Sequence, residues 1–147
     1  MGASEAPGRQ DYVFFRSITT RWMDNDVYGH VNNVTYYSYF DTAVNHYLIE
    51  EGGLDIHGGS VVGLVVSSSC SYHRPIAFPD PVEAGLRVDR LGNSSVQYGV
   101  GIFRAGDAAL CAHGQFVHVF VDRAENRSVP IPGSLRAALE RLQVPTG

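Results

Sequence analysis

Residues 34–51, VTYYSYFDTAVNHYLIEE, place apolar or aromatic side chains on almost every side of a helix. Val34, Tyr37, Phe40, Val44, Tyr47 and Leu48 follow helical spacing, and Tyr36, Tyr39 and Ala43 widen the stripe. A helix of that kind is stable only when it is enclosed. Asn32 or Asn33 offers an N-cap ahead of it, and Gly52 and Gly53 supply the left-handed stop behind it. The rest of the chain must therefore provide the enclosure.

It does so with strands. Residues 12–22 are β-branched and aromatic and read as a first strand. After the helix, residues 61–72 are β-branched and serine-rich. Val82, Ala84, Leu86 and Val88 then alternate with Glu83, Gly85, Arg87 and Asp89. The turn Leu91-Gly92-Asn93-Ser94 leads into alternation at Val96, Tyr98, Val100 and Ile102, and residues 110–121 form the last long strand. Residues 133–143, GSLRAALERLQ, read as a short helix capped by Ser134. The expected class is α+β, with one curved antiparallel sheet wrapped around one long helix. No repeat or linker divides it. A disordered leader over 1–10, around Pro7 and Gly8, precedes a single domain over 11–147.

Composition removes several functions. A net charge of −4 does not suit a nucleic-acid surface, although Arg74, Arg87, Arg90 or Arg104 can meet a polyanionic ligand locally. No apolar run is long enough for a membrane span, and the N-terminus lacks a secretory signal, so a cytoplasmic protein is expected. Cys70 and Cys111 lie in apolar runs and read as core residues, not as a disulfide framework. His113 and His118 lie five apart on a strand and point to opposite faces, so they do not share a metal. With no HExxH, P-loop or GxGxxG, neither a metal nor a cofactor is expected. Ser67, Ser68, Ser69 and Ser71 lack a GxSxG elbow and read as structural, although one of them is placed to line a site from a facing strand.

The chemistry concentrates just before the long helix. Asp24, Asp26, His30, Asn32 and Asn33 fall within ten residues, where a strand hands over to the helix. A helix start carries free N–H groups that stabilise developing negative charge. A carboxylate beside it supplies the other half of an acyl-transfer site, a base for water or a nucleophile. Asp24 reads as a structural acceptor, and His30 reads either as a structural donor or as a group orienting the carboxylate or water.

The string D-x-D-x-x-G-H-V-N-N-x-x-Y, from Asp24 to Tyr36, resembles the signature of hotdog-fold thioesterases. The likeness is to the 4-hydroxybenzoyl-CoA thioesterase-like family, in its acyl-CoA branch. It continues through Tyr72-His73-Arg74-Pro75, Phe78-Pro79-Asp80 and Leu91-Gly92-Asn93-Ser94-Ser95, covering about residues 12–140. The resemblance implies a hotdog fold and hydrolysis of acyl-CoA thioesters. It makes Asp26 the catalytic carboxylate and the Asn33 N–H the oxyanion donor, with Asn32 and Val34 close enough to share that role. His30 joins them as an assisting catalytic residue, and Tyr36 and Arg74 as substrate-binding residues. It further implies a homodimer or homotetramer joined edge to edge, with residues 61–74 of one subunit facing Asp26 of another. Where plant acyl-ACP enzymes of similar motif carry an acidic residue after Tyr-x-Arg, this chain has Pro75, which argues against a glutamate-assisted mechanism.

Two other functions stand beside this one. An enoyl-CoA hydratase on the same fold resembles D-x-N-P-x-H, whereas Asp26-Val27-Tyr28-Gly29-His30 is one residue shorter and lacks the proline. A non-catalytic acyl-CoA-binding domain is the third, since fold alone never guarantees chemistry.

Overall fold

The computed structural model describes residues 6–144. In chain order it contains β1 (Phe14–Ile18), α1 (Thr35–Gly52), β2 (Val61–Tyr72), β3 (Val82–Leu91), β4 (Ser95–Arg104), β5 (Leu110–Asp122), β6 (Arg127–Ser128) and α2 (Gly133–Glu140). The strands form one antiparallel sheet in the order β1-β3-β4-β5-β2, with the short β6 on β5. This curled sheet around a long helix is the expected hotdog architecture. Among the described residues no helix is long and apolar enough to cross a membrane.

The α1 helix fills the hollow of the sheet. Phe40, Ala43, Val44 and Leu48 are fully buried against Leu86, Val100, Ile102 and Phe116. Burying an aliphatic or aromatic side chain of this size stabilises a fold by about 1.5–3 kcal/mol. The enclosure is not complete: Ser38, Asp41, Thr42 and Ile49 stay exposed along one line of the helix. Val34, expected in the buried stripe, precedes the first helical residue and is exposed. Gly53 ends the helix at φ 72°, and its N–H and that of Leu54 both donate to the Leu48 carbonyl. The α2 helix closes one end, where the Tyr47 hydroxyl donates to the Ala138 carbonyl at 2.7 Å. Ser134 is not its cap, because the first turn is closed by Arg136 N–H on the Pro132 carbonyl.

The first strand is shorter than the 12–22 expected. Ile18 pairs with Val82, and beyond Val82 stands Pro81, which has no N–H to continue a ladder. Trp22–Asp24 instead form a single 3₁₀ turn. At the other end Tyr12 leaves the strand and lies across the outer face of the sheet, where a Cβ at Gly101 would stand 2.5 Å from its ring. Of the expected leader, residues 1–5 lie outside the described residues. Arg9–Asp11 form a 3₁₀ turn held by Arg9, which pairs with Glu83 and donates to the Asp107 carbonyl.

His113 and His118 do point to opposite faces. His118 is buried among Tyr98, Phe116 and Phe120, and its Nε2 has no hydrogen-bond partner. Burial alone pushes its pKa down to about 4. An unfolded histidine titrates near 6.5, so the folded state resists the proton that the unfolded state accepts. Its contribution is whole above about pH 6.5 and is lost as pH falls toward 4, by ~3 kcal/mol at most. Urea unfolding across that range is expected to show stability falling with acid in the wild type. His118→Leu is expected to flatten the dependence; an unchanged slope would remove His118 from the account.

Candidate active site

The loop between β1 and α1 has no ladder of its own, and side chains satisfy much of its backbone. The buried Asp24 carboxylate accepts the Arg21 N–H at 2.9 Å, the Arg21 Nε at 3.1 Å and the Tyr39 hydroxyl at 2.8 Å. Burial pushes its pKa up, but the Arg21 N–H, the Tyr39 hydroxyl and the Arg21 guanidinium together hold it below the ordinary carboxylate value. The Asp24 carbonyl accepts the Asn32 N–H at 2.8 Å. Asp24 is thus a structural acceptor.

Residues 25–31 then fold as a small hairpin. Asn25 and Val31 bridge, the Asp26 N–H donates to the His30 carbonyl at 2.9 Å, and Gly29 turns the chain at φ 84°. The Asp26 Oδ1 accepts the Tyr28 N–H at 2.9 Å. Its Oδ2 has no hydrogen-bond partner among the described residues. The hairpin presents a half-buried carboxylate with one oxygen committed and one open.

The segment joining β2 to β3 crosses this loop and clamps it. The Val31 N–H donates to the Ile76 carbonyl at 2.6 Å, the Phe78 N–H to Asn25 Oδ1 at 3.0 Å, and the Tyr72 hydroxyl to the Asn33 carbonyl at 3.0 Å. Between loop and crossing segment lies a pocket of about 390 Å³, lined by Asp26, His30, Asn33, Tyr36 and Arg74 together with Val31, Tyr72, His73 and Pro75. Five of the sequence-expected residues therefore meet in one place.

The other two do not line it. The Asn32 N–H is taken by the Asp24 carbonyl, and the Val34 N–H by Asn32 Oδ1 at 3.1 Å. Asn32 acts as a cap for the Val34 amide, one residue ahead of the helix. The Asn33 N–H has no acceptor among the described residues, and Asn33 is exposed to the pocket. It is the free donor at this helix start. Arg74 is exposed and has no ion-pair partner among the described residues, whereas Arg87 is bound to Asp89 at 2.8 Å and Arg104 donates to the Pro75 carbonyl. Among the described residues no group of three or more His, Cys, Asp or Glu is placed to hold a metal.

Sequence reasoning did not single out Tyr72 or His73 as site residues. The string Tyr72-His73-Arg74-Pro75 held the signal, but the crossing that brings it to Asp26 is a property of strand order. His73 Nε2 lies 2.8 Å from His113 Nδ1, with the rings stacked. Burial first, then His73 and Arg87, lower the pKa of His113. Ser69 and Ser71 line a larger cavity, about 540 Å³, on the outer face of the sheet. Its carboxylates are already engaged, Asp89 by Arg87 and Asp11 by the Gly8 N–H.

Residues 20–139 match the family model described as the thioesterase-like superfamily. The chain belongs to that superfamily. A solved structure of the PA5185 protein from Pseudomonas aeruginosa is 62% identical, covers 96% of this chain and 99% of its own, and superposes with a TM-score of 0.94. The PA2801 protein from Pseudomonas aeruginosa, provisionally named a thioesterase, is 35% identical over 86% of this chain and 98% of its own, with a TM-score of 0.80. Slr0204, a 1,4-dihydroxy-2-naphthoyl-CoA thioesterase from Synechocystis, is 20% identical over 86% of this chain and 94% of its own, with a TM-score of 0.77, a likeness of fold. Superfamily and neighbours together support thioester hydrolysis.

The Asp24 network generates a prediction about stability. A carboxylate whose folded pKa is depressed stabilises the fold above its unfolded value near 3.9, and that contribution is lost as pH falls through the folded value. Asp24→Asn is expected to cost about 1–3 kcal/mol at neutral pH, because Arg21 and Tyr39 lose a charged acceptor. As pH falls below about 4 the gap between the two proteins is expected to narrow. Chemical denaturation at pH 7 and pH 3 checks both parts; an equal gap at the two pH values would contradict them.

Proposed function

We propose that the protein hydrolyses acyl-CoA thioesters at this pocket. The observation that carries the reading is that Asp26, with one oxygen open, and Asn33, with an N–H that has no acceptor among the described residues, line the same pocket. The thioester carbonyl oxygen points at the Asn33 N–H, which stabilises the negative charge that develops on it. Asp26 takes a proton from water as the water oxygen adds to the acyl carbon, or it adds to that carbon itself and water releases the product afterwards. The C–S bond breaks, the electron pair leaves on sulfur, and the products are the free acid and CoA.

His30 and Arg74 have supporting roles in this reading. His30, exposed beside Asp26, orients the carboxylate or the water. Arg74, which lines the pocket and has no ion-pair partner among the described residues, is the cation for the phosphate-bearing end of CoA. Tyr36 and the other apolar groups of the wall favour an aliphatic or aryl acyl group. The CoA ester is the substrate named for the fold neighbour Slr0204.

We further propose a homodimer or homotetramer. The edge strand β2 leaves Leu64, Val65 and Val66 exposed, a row that invites pairing with a second copy. Trp22, Met23, Val27 and Tyr28, exposed in the site loop, add further apolar surface for a partner to cover. Residues 61–74 of the partner then stand next to Asp26.

Asp26→Asn is expected to lower kcat on acyl-CoA substrates by roughly 10²–10⁴ with folding unchanged, and His30→Ala is expected to cost less. Release of free CoA, followed with a thiol reagent, measures both. Wild-type turnover in a folded Asp26→Asn protein would sink the assignment; thioester binding without hydrolysis by the wild type would favour the acyl-CoA-binding alternative.

A further inference from the structure

The Asn33 N–H is useful only if its direction is fixed, and most of what fixes it is local. The Asn32 carbonyl, in the same peptide plane, accepts the Thr35 N–H at 2.9 Å. In the next plane the Val34 N–H is held by Asn32 Oδ1 at 3.1 Å. The Asn33 carbonyl receives the Tyr36 N–H at 3.4 Å, a long bond at the frayed start of a helix. All of these partners lie within three residues of Asn33. Such a turn keeps its internal shape while tilting as a unit against the rest of the molecule.

The Asn32 N–H on the Asp24 carbonyl restrains the turn on its loop side, and one bond from a distant strand restrains the Asn33 peptide itself. The Tyr72 hydroxyl, 39 residues away on β2, donates to the Asn33 carbonyl at 3.0 Å. The Tyr72 ring is itself held edge-on against Tyr36, with centroids 5.2 Å apart at 75°. We propose that Tyr72 is the positioning residue for the oxyanion donor, tying the helix start to the end of the sheet so that the Asn33 N–H faces the pocket. This rests on the thioesterase reading above for its catalytic consequence, but not for the anchoring.

Tyr72 is not itself a proton donor to the substrate in this arrangement. Its proton is committed to the Asn33 carbonyl, and burial, with Cys70 and Tyr37 nearby, pushes its pKa up to about 12. It acts by holding a dipole in place, and the reaction is sensitive to that placement. A misplacement of about 1 Å costs a well-oriented reaction roughly 10²-fold.

Tyr72→Phe tests this, because the ring and its contact with Tyr36 are retained and only the hydroxyl is removed. In the full-length protein kcat is expected to fall ~10- to 100-fold with KM and the unfolding temperature little changed. The ¹⁵N order parameters of the Asn33 and Val34 amides are expected to fall while those of β4 stay constant. Unchanged kcat in the variant of an active enzyme overturns the proposal, and so does a loss confined to KM, which would make Tyr72 a substrate contact. If the wild type hydrolyses no thioester, the functional reading fails, and the order parameters alone decide the anchor: values equal to wild type overturn it, and lowered values uphold it.

Discussion

The Asp24 carboxylate is taken out of water inside a loop that has no sheet to support it, and what surrounds it sets the shape of the site. Removing such a group from solvent is unfavourable unless its lone pairs are filled. Arg21 fills them from the chain before it and Tyr39 from the first turns of α1. The loop is thereby fixed to the helix that the sheet wraps. Asn32, bonded to the Asp24 carbonyl, sets the turn that leads into the helix at a defined distance from that anchor, and Asp26, two residues after Asp24, lies at the start of the hairpin. The proposed reactive pair, Asp26 and the Asn33 N–H, thus depends on a neighbour that is given no part in the chemistry.

Strand order supplies the second constraint. β2 and β3 follow each other in sequence, yet β2 lies at one edge of the sheet and β3 beside the opposite edge strand. The chain between them has to cross the open end of the sheet, where the site loop sits. Ile76 and Phe78 bond to Val31 and Asn25 on the way, and Arg74 comes to stand free in the pocket. The crossing closes one side of the pocket. The exposed apolar side chains of Trp22, Met23, Val27 and Tyr28 in the site loop, and of Leu64 to Val66 on β2, are left to a second copy in the proposed assembly.

The long helix, the alternating strands and the carboxylate ahead of the helix start were legible because each is written in local periodicity or spacing. The enclosing sheet followed from the apolar breadth of residues 34–51. The first strand was overread, because the β-branched run at 12–22 does not reveal that its partner begins next to Pro81. The N-cap was misplaced by a related effect. Asn32 does cap, but for the Val34 amide one residue ahead of the helix, and only the hydrogen-bond pattern separates the occupied Asn32 and Val34 donors from the free one on Asn33. Tyr72 and His73 were not read as residues of the same chain's site for a different reason. Their role arises from a crossing between distant strands, and no local pattern encodes strand order.

The central claim is geometric: the acyl carbonyl oxygen sits on the Asn33 N–H, with Asp26 beside the acyl carbon. A crystal structure of the protein with a non-hydrolysable CoA ketone, whose methylene replaces the thioester sulfur, tests it most directly. The ketone oxygen is expected about 3 Å from the Asn33 nitrogen, with the Asp26 carboxylate within reach of the carbonyl carbon, directly or through one water. A ketone oxygen bound elsewhere, with the Asn33 N–H facing solvent, would contradict it.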